Sequence, residues 1–594
     1  MQVIATAGHV DHGKSTLIRA LTGIEPDRLA EEKQRGLTID LGFAWTVLPS
    51  GREVSFVDVP GHERFLGNML AGIGPAPIVC FVIAADEGWR AQSTDHRDAI
   101  AALGVDQGLI VVTRADLAPG SIDQVITRAR TELAGTGLAH APAVAVSAVT
   151  GDGLDELRVL LDGVVGAARE PSAAQRVRLW VDRAFSISGA GTVVTGTLTA
   201  GTLHREDRLA LCGEQRGGEV VVRGLQSRGG SLEQLGPVSR AAVNLRGVSA
   251  EEISRGDALL SPGAWELTAE LDVRRSSGRG FDDAPRELMV HLGTAAVPAR
   301  VRPFDAEHAR LTLVRPVPVG VGDALVLRAG GSHSVHAGAR VLDVDPPSLR
   351  RRGDGDRRSS TLAEMSPAGD VALEVRRRGA VREDVLLRYG VRVPPVLGGS
   401  VLRHGQWLVD AGAMAAWAEH LTQLVSTDQR SDALSAGVPG KVAADALSLP
   451  DGELLPAVIS AAGLVRAEGR VRGATAPGLG MAEHGIATLE ERLRSAPFQA
   501  PDADDLAAQG LGTRELAAAA AQGRVMRLPG EVILLPSAPA LAMRELARLP
   551  QPFTTSEARQ ALTTTRRVAI PLLEHLDGRG WTRRVDAGHR EVVR

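Results

Sequence analysis

The sequence predicts three kinds of fold in one chain: an α/β domain with a parallel sheet, then β-barrels, then repeated units of helices and a β-hairpin. Three observations predict it. In the first 170 residues, continuous apolar runs (54–57, 78–85, 109–113 and 143–147) alternate with helical segments, as strands covered on both faces do. From Arg178 onward, short alternating runs are broken by glycine turns. Hairpin-like stretches then begin at Gly399, Gly463, Gly523 and Gly580, roughly 60 residues apart and each after helical sequence.

At 594 residues the chain is too long for one core. A 44% hydrophobic and 23% charged composition is that of an ordinary globular protein, and the net charge of -4 selects no partner. Cys80 and Cys212 are the only cysteines and have no zinc-type spacing. The N-terminus enters an apolar strand without a basic n-region, and no apolar run reaches membrane-spanning length. A cytoplasmic chain without membrane contact, and a monomer, is expected. Of 67 lysines and arginines only Lys14, Lys33 and Lys441 are lysine, so a lysine at position 14 requires a reason.

Gly8-His-Val-Asp-His-Gly13-Lys14-Ser15 supplies it. The spacing G-x-x-x-x-G-K-[ST], between an apolar strand and an amphipathic helix, marks a phosphate-binding loop. Its backbone N–H groups, including those of Asp11, His12, Gly13 and Thr16, close on phosphate oxygens at a helix N-terminus. Lysine puts a compact charge between the β- and γ-phosphates, where arginine's planar fork would not fit.

Asp58 ends the next apolar strand and is followed by Gly61, so Asp58 is expected to hold Mg²⁺ through water and Gly61 to approach the γ-phosphate. Thr38 offers a second hydroxyl to Mg²⁺ beside Ser15. Thr113, Arg114, Asp116, Ser147 and Ala148 close the fourth and fifth strands, where a base belongs in such a sheet. Asp116 accepts from N1 and the exocyclic amine of guanine, which adenine does not offer, so the expected nucleotides are GTP and GDP.

The segments GHVDHGKS, RGLTI and DVPGH resemble the hallmarks of the translational GTPases. The resemblance implies that His62 orients the attacking water and that Val10 and Leu37 screen it until the ribosome triggers hydrolysis. Thr113 and Arg114 depart from the family's Asn-Lys-x-Asp guanine motif.

Residues 178–198 look like the second domain of elongation factor Tu, and a β-rich stretch from about 265 to 343 like its third. The polar stretch 345–358 reads as a linker. Helices followed by a hairpin are the plan of a winged helix. In the last unit Ala569, Leu572, Leu573 and Leu576 form a helical stripe, with Arg566 and Arg567 before it and Arg583 and Arg584 on the wing. Pro571 fits that helix only if it starts late or bends.

A translational GTPase with four winged-helix units is similar to the bacterial selenocysteine-specific elongation factors, in which a Thr-Lys-x-Asp guanine motif also occurs. That resemblance implies the partners selenocysteinyl-tRNA, the ribosome and an mRNA hairpin at a recoded stop codon. It places Asp182, Arg183 and Arg246 in the aminoacyl pocket, with Asp182 expected to fix one arginine. Arg566 and Arg567 at the start of the recognition helix, and Arg583 and Arg584 on the wing, are expected from their positions to meet the hairpin. Two arginines there would favour an ionised selenol over serine's hydroxyl. The expected organisation is a GTPase domain at 1–170, barrels at 171–263 and 264–345 and a linker at 346–365. Winged helices then follow at 366–425, 426–482, 483–540 and 541–594. The alternative within the GTPases, the regulatory subunit of sulfate adenylyltransferase, has no winged-helix tail.

Overall fold

The computed structural model describes residues 2–26, 38–168, 171–189, 191–331, 334–432, 435–474 and 478–593. They form two compact units, Met1–Glu374 with Arg382–Leu397, and Val375–Val381 with Gly398–Arg594.

The first unit opens with β1 (Gln2–Ala7), α1 (Lys14–Thr22), β2 (Gly42–Val47), β3 (Glu53–Asp58), α2 (Leu66–Ile73), β4 (Ile78–Ala84) and α3 (Ala91–Leu103). It continues through β5 (Gly108–Thr113), α4 (Ile122–Leu133), β6 (Ala143–Ala145) and α5 (Leu154–Ala167). The sheet order is β2-β3-β1-β4-β5-β6, parallel except at the edge strand β2. β1, β4 and β5 are buried along their whole length, which is why their sequences are unbroken apolar runs rather than alternating ones. One face packs on α2, α3 and α4 and the other on α1 and α5, through Leu70 and Ile100 and through Leu17 and Leu161 respectively.

Two antiparallel barrels follow. β7 (Arg178–Ile187), β8 (Gly191–Leu198), β9 (Leu203–His204), β10 (Arg208–Cys212), β11 (Gly217–Ser227), β12 (Gly230–Leu232), β13 (Gln234–Leu235), β14 (Ser239–Arg246) and β15 (Ala258–Leu260) build the first. It runs β10-β15-β7-β8-β14-β11 and closes through β10–β11. The second, built from β16 (Glu266–Gly278), β17 (Glu287–Leu292), β18 (Ala295–Pro303), β19 (His308–Val319), β20 (Ala324–Ala329) and β21 (Val335–Asp343), closes as β16-β19-β18-β17-β20-β21. Alternating buried and exposed positions along β18 (Ala295–Pro303) give it one core-facing side.

Helix α3 lies on the second barrel, where Arg340 Nη2 donates to Leu103 O at 3.0 Å. A side chain at Gly338 would stand 2.4 Å from Ala102 Cα, so only glycine permits that approach. Within the stretch read as a linker, Asp354–Glu364 forms a helix. Its Arg358 is buried and donates to Asp272 Oδ2 at 2.7 Å and to Asp343, clipping the helix to the second barrel. Neither carboxylate is near it in sequence, so composition alone left this segment looking like loop.

In the second unit, helices alternate with hairpins at Val401–His404/Trp407–Asp410, Leu464–Ala467/Arg470–Gly473, Met526–Leu528/Val532–Leu534 and Thr582–Arg584/His589–Val592. This is a tandem winged-helix array. Its last helix, Arg566–Gly578, begins at Arg566 and runs through Pro571, so it does not start late. Val568, Leu572, Leu573 and Leu576 join a core shared with residues 479–546.

Candidate nucleotide site and aminoacyl pocket

Strand β1 delivers the chain into the loop Gly8–Gly13, and α1 starts at Lys14 with no side-chain cap on its first amides. Gly13 has φ 76°, the left-handed conformation that turns the loop into the helix. Those open amides and the helix dipole make an anion site. Lys14 is 5% exposed and donates to Gly8 O at 3.1 Å and His9 O at 2.7 Å, curling its ammonium back over the loop. A Cβ on Gly61 would come within 2.5 Å of Lys14 Nζ and 2.4 Å of Val10 N, which explains the glycine there.

Ser15, Thr38 and Asp58 converge. Ser15 Oγ lies 3.0 Å from Thr38 Oγ1 and donates to Asp58 Oδ2 at 2.6 Å, while Thr6 Oγ1 donates to Asp58 Oδ1 at 2.7 Å. An all-oxygen set suits Mg²⁺, and 3.0 Å between the hydroxyls matches adjacent ligands of an octahedron with bonds of about 2.1 Å.

A cavity of about 820 Å³ extends from this cluster. Val10, Asp11, Gly13, Thr16, Gly61, Thr113, Arg114, Asp116 and Ala148 line it together with Lys14, Ser15 and Thr38. Buried Ser147 closes β6 beside it. Thr113 Oγ1 donates to His12 O at 2.7 Å, joining the base end to the phosphate loop. Arg114 (φ 52°) bridges the same two segments: Nη1 donates to Asp86 Oδ2 at 3.1 Å and Glu87 Oε1 at 2.9 Å, and Nη2 to Asp11 O. It lines the cavity while its charge is spent on the two acids. His62 is half-buried, one residue beyond Gly61, and its Nδ1 accepts from Arg64 N at 3.2 Å. Leu37 lies outside the described residues.

The sequence reading missed two residues that hold the loop. His96 Nδ1 accepts from Gly8 N at 3.0 Å, and Gln92 Oε1 accepts from Val10 N at 3.2 Å, both from α3. Burial, with Lys14, His9 and His12 adding to it, keeps His96 neutral and its pKa well below the ordinary value. A neutral ring is what an acceptor nitrogen requires. Burial also lowers His12 to about 3, against a backbone hydrogen bond to Val82 that opposes it.

In the first barrel, a register shift between Val181 and Arg183 re-aims consecutive side chains. Asp182 takes Arg240 as its partner (Nη2 to Oδ1 2.7 Å, with a second contact from Nη1) and accepts from Thr195 Oγ1 at 2.6 Å. The expectation that Asp182 fixes Arg183 or Arg246 therefore gives way to Arg240, whose strand the register of β14 brings across β8. Arg183 turns to Asp40, with Nε at 3.1 Å and Nη2 at 2.9 Å from Oδ2. Arg246 is exposed, 3.6 Å from Glu206. Arg183 pairs on β8 with Thr195, and Leu245, just before Arg246, with Thr192, so about four residues or roughly 13 Å of strand separate the two arginine levels.

In the last unit Arg566 is exposed at the start of its helix. Arg567 Nη2 donates to Ala500 O at 3.0 Å and Pro501 O at 2.8 Å. On the wing, Arg583 meets Glu591 at 2.5 Å and Arg584 lies 3.6 Å from Glu574.

Comparison with known proteins agrees with this architecture. Residues 1–167 match the family described as "Elongation factor Tu GTP binding domain" and 191–260 match "Elongation factor Tu domain 2". The elongation factor Tu 2 of Streptomyces avermitilis is 30% identical over 370 residues, 55% of this chain and 93% of that protein. The chain belongs to the elongation factor Tu family of translational GTPases. Within that family its likeness is to the selenocysteine-specific branch. Residues 284–348 match "Selenocysteine-specific elongation factor, beta-barrel domain" and 544–590 match "Elongation factor SelB, winged helix". The selenocysteine-specific elongation factor of Escherichia coli K12 is 36% identical over 382 residues, 64% of this chain, and the match spans 61% of that relative's length. A crystal structure of the bacterial selenocysteine-specific elongation factor EF-Sec covers 100% of both chains at a TM-score of 0.74 and 26% identity. Among the described residues no helix is long and apolar enough to cross a membrane.

Proposed function

We propose that this chain hydrolyses GTP in delivering selenocysteinyl-tRNA to the ribosome at a recoded UGA codon, in the cytoplasm, while its winged helices hold an mRNA hairpin. The observation that carries the reading is the conjunction, in one chain, of the Ser15–Thr38–Asp58 oxygen cluster with a SelB-type winged-helix end.

In this reading the open amides of α1, with Asp11, His12, Gly13 and Thr16 around them, grip the phosphates, and Lys14 leaves its two carbonyls for the β/γ oxygens. Ser15, Thr38 and Asp58 would hold Mg²⁺, which would supply positive charge against the phosphates. Asp116 reads guanine, Ser147 and Ala148 back it, and the Thr113–His12 bond and the Arg114 bridge keep the base end rigid against the loop. His62 orients water, screened by Val10 and Leu37. Asp182, Arg183 and Arg246 serve the aminoacyl group, with Arg240 anchoring Asp182. Arg566, Arg567, Arg583 and Arg584 serve the hairpin, through phosphates and looped-out bases, because the A-form major groove is too narrow for a helix.

The test is GTP turnover with ribosomes, with and without selenocysteinyl-tRNA and a hairpin-bearing message. Turnover should be slow with the protein alone and rise only when all three are present. Equal turnover with an unstructured message would remove the hairpin from the function.

A further inference from the structure

Asp40 lies two residues beyond Thr38, the hydroxyl of the oxygen cluster. Its carboxylate reaches out of the first domain and meets two arginines of the first barrel. Oδ2 takes Arg183, and Oδ1 takes Arg255 Nη2 at 2.6 Å. Arg183 Nη2 also donates to Leu41 O. Arg255 goes on to Asn68 Oδ1 at 2.6 Å and to Asp182 O at 3.0 Å. Asn68, on α2 after the Asp58–Gly61 segment, donates from Nδ2 to Ile39 O at 2.9 Å. Arg183 and Arg240 lie over the Phe43 ring, their guanidinium carbons 5.1 and 3.9 Å from its centroid.

One guanidinium thus joins three segments: the chain just after Thr38, helix α2, and strand β7 beside Asp182. Each contact of the Asp40 carboxylate with the two guanidinium groups is a charge-assisted bond.

We propose that Asp40 and Arg255 are positioning residues that orient Arg183 for an anionic aminoacyl side chain only while Thr38 sits at the Ser15 cluster. Two residues of chain span at most about 7 Å, so Asp40 is tethered closely to whatever holds Thr38. Segments of this kind are held by γ-phosphate and Mg²⁺ contacts and released on hydrolysis. With Asp40 in place, Nε and Nη2 of Arg183 are engaged, which leaves Nη1 for an anion. With Asp40 gone, the long side chain returns to several rotamers and its ordering has to be supplied by the ligand. By linkage, whatever fixes Thr38 then strengthens aminoacyl binding by the same factor that aminoacyl binding strengthens it.

The inference rests on the assignment of Arg183 to the aminoacyl pocket. The test measures the affinity of the full chain for selenocysteinyl-tRNA with a non-hydrolysable GTP analogue and with GDP, in wild type, Asp40→Asn and Arg255→Gln. If wild type does not prefer the GTP form, the delivery reading itself fails. Given that preference, each variant should lose roughly tenfold or more in the GTP form, the worth of a charge-assisted bond, and little in the GDP form, so that the ratio between forms shrinks. Equal losses in both forms would reduce the cluster to a structural tie. An unchanged ratio would overturn the coupling, and so would a gain in the GDP form, which would make Asp40 a block rather than a guide.

Discussion

Asp182 and Arg240 form a two-point ion pair inside the first barrel, with Asp182 4% exposed and the Arg240 side chain 13% exposed. Removing one partner of such a pair strands a buried charge, at a cost of about 3–5 kcal/mol. Arg240→Ala should therefore lower the unfolding midpoint in denaturant markedly, whereas Arg246→Ala, at an exposed position, should leave it in place. Equal midpoints for Arg240→Ala and wild type would mean that the pair contributes nothing to the barrel.

Arg246 should act instead on selectivity. Arg246→Ala is expected to narrow the affinity gap between selenocysteinyl and seryl forms of one tRNA by roughly tenfold. An unchanged gap takes Arg246 out of the pocket and leaves Arg183 alone to read the anion.

At the phosphate loop, Lys14→Arg keeps the charge but places a planar fork beside Gly61, where even a Cβ would come within 2.5 Å of the Lys14 ammonium. GTP affinity should fall by more than roughly tenfold, measured by titration with a fluorescent analogue. His62→Ala should bind the same analogue normally and lose ribosome-stimulated turnover. Wild-type stimulated turnover in that variant would assign the water to another residue.

Acid should weaken the first unit before its carboxylates protonate. Burial, with Arg328 adding to it, lowers His291 to about 3, and burial lowers His12 equally far. The unfolded chain takes up protons near pH 6.5 that the folded chain refuses, so stability is present above about pH 6.5 and is lost as pH falls toward 3. Each such histidine costs about 1.4 kcal/mol per pH unit in that window. Asp305, lowered to about 2 by hydrogen bonds that outweigh its burial, acts only at more acid pH. Denaturation midpoints at about pH 7 and about pH 5.5 should diverge, and His291→Gln should bring them closer. An identical divergence in that variant would contradict the shift.

The parts of this molecule legible in sequence are those encoded by neighbours. The phosphate loop is one continuous stretch, and β1, β4 and β5 announce themselves because burial on both faces demands unbroken apolar runs. Hairpins in the tail show through their glycine turns. The contacts that hold the site were not legible because each spans a long stretch of chain. His96 meets Gly8 across 88 residues, and Arg255 meets Asp40 across 215. Neither His96 nor Arg255 carries a local pattern. Asp182 illustrates the limit: its choice of Arg240 depends on barrel register, which no local pattern carries.

The measurement closest to the centre of the account compares one tRNA charged with selenocysteine or with serine, bound to the GTP form of the wild-type chain. Ionised selenocysteine facing Arg183 and Arg246 should bind at least roughly tenfold tighter than serine, and GDP should abolish the difference. Equal affinity for the two charged forms, with GTP bound, would contradict the selenocysteine-specific reading.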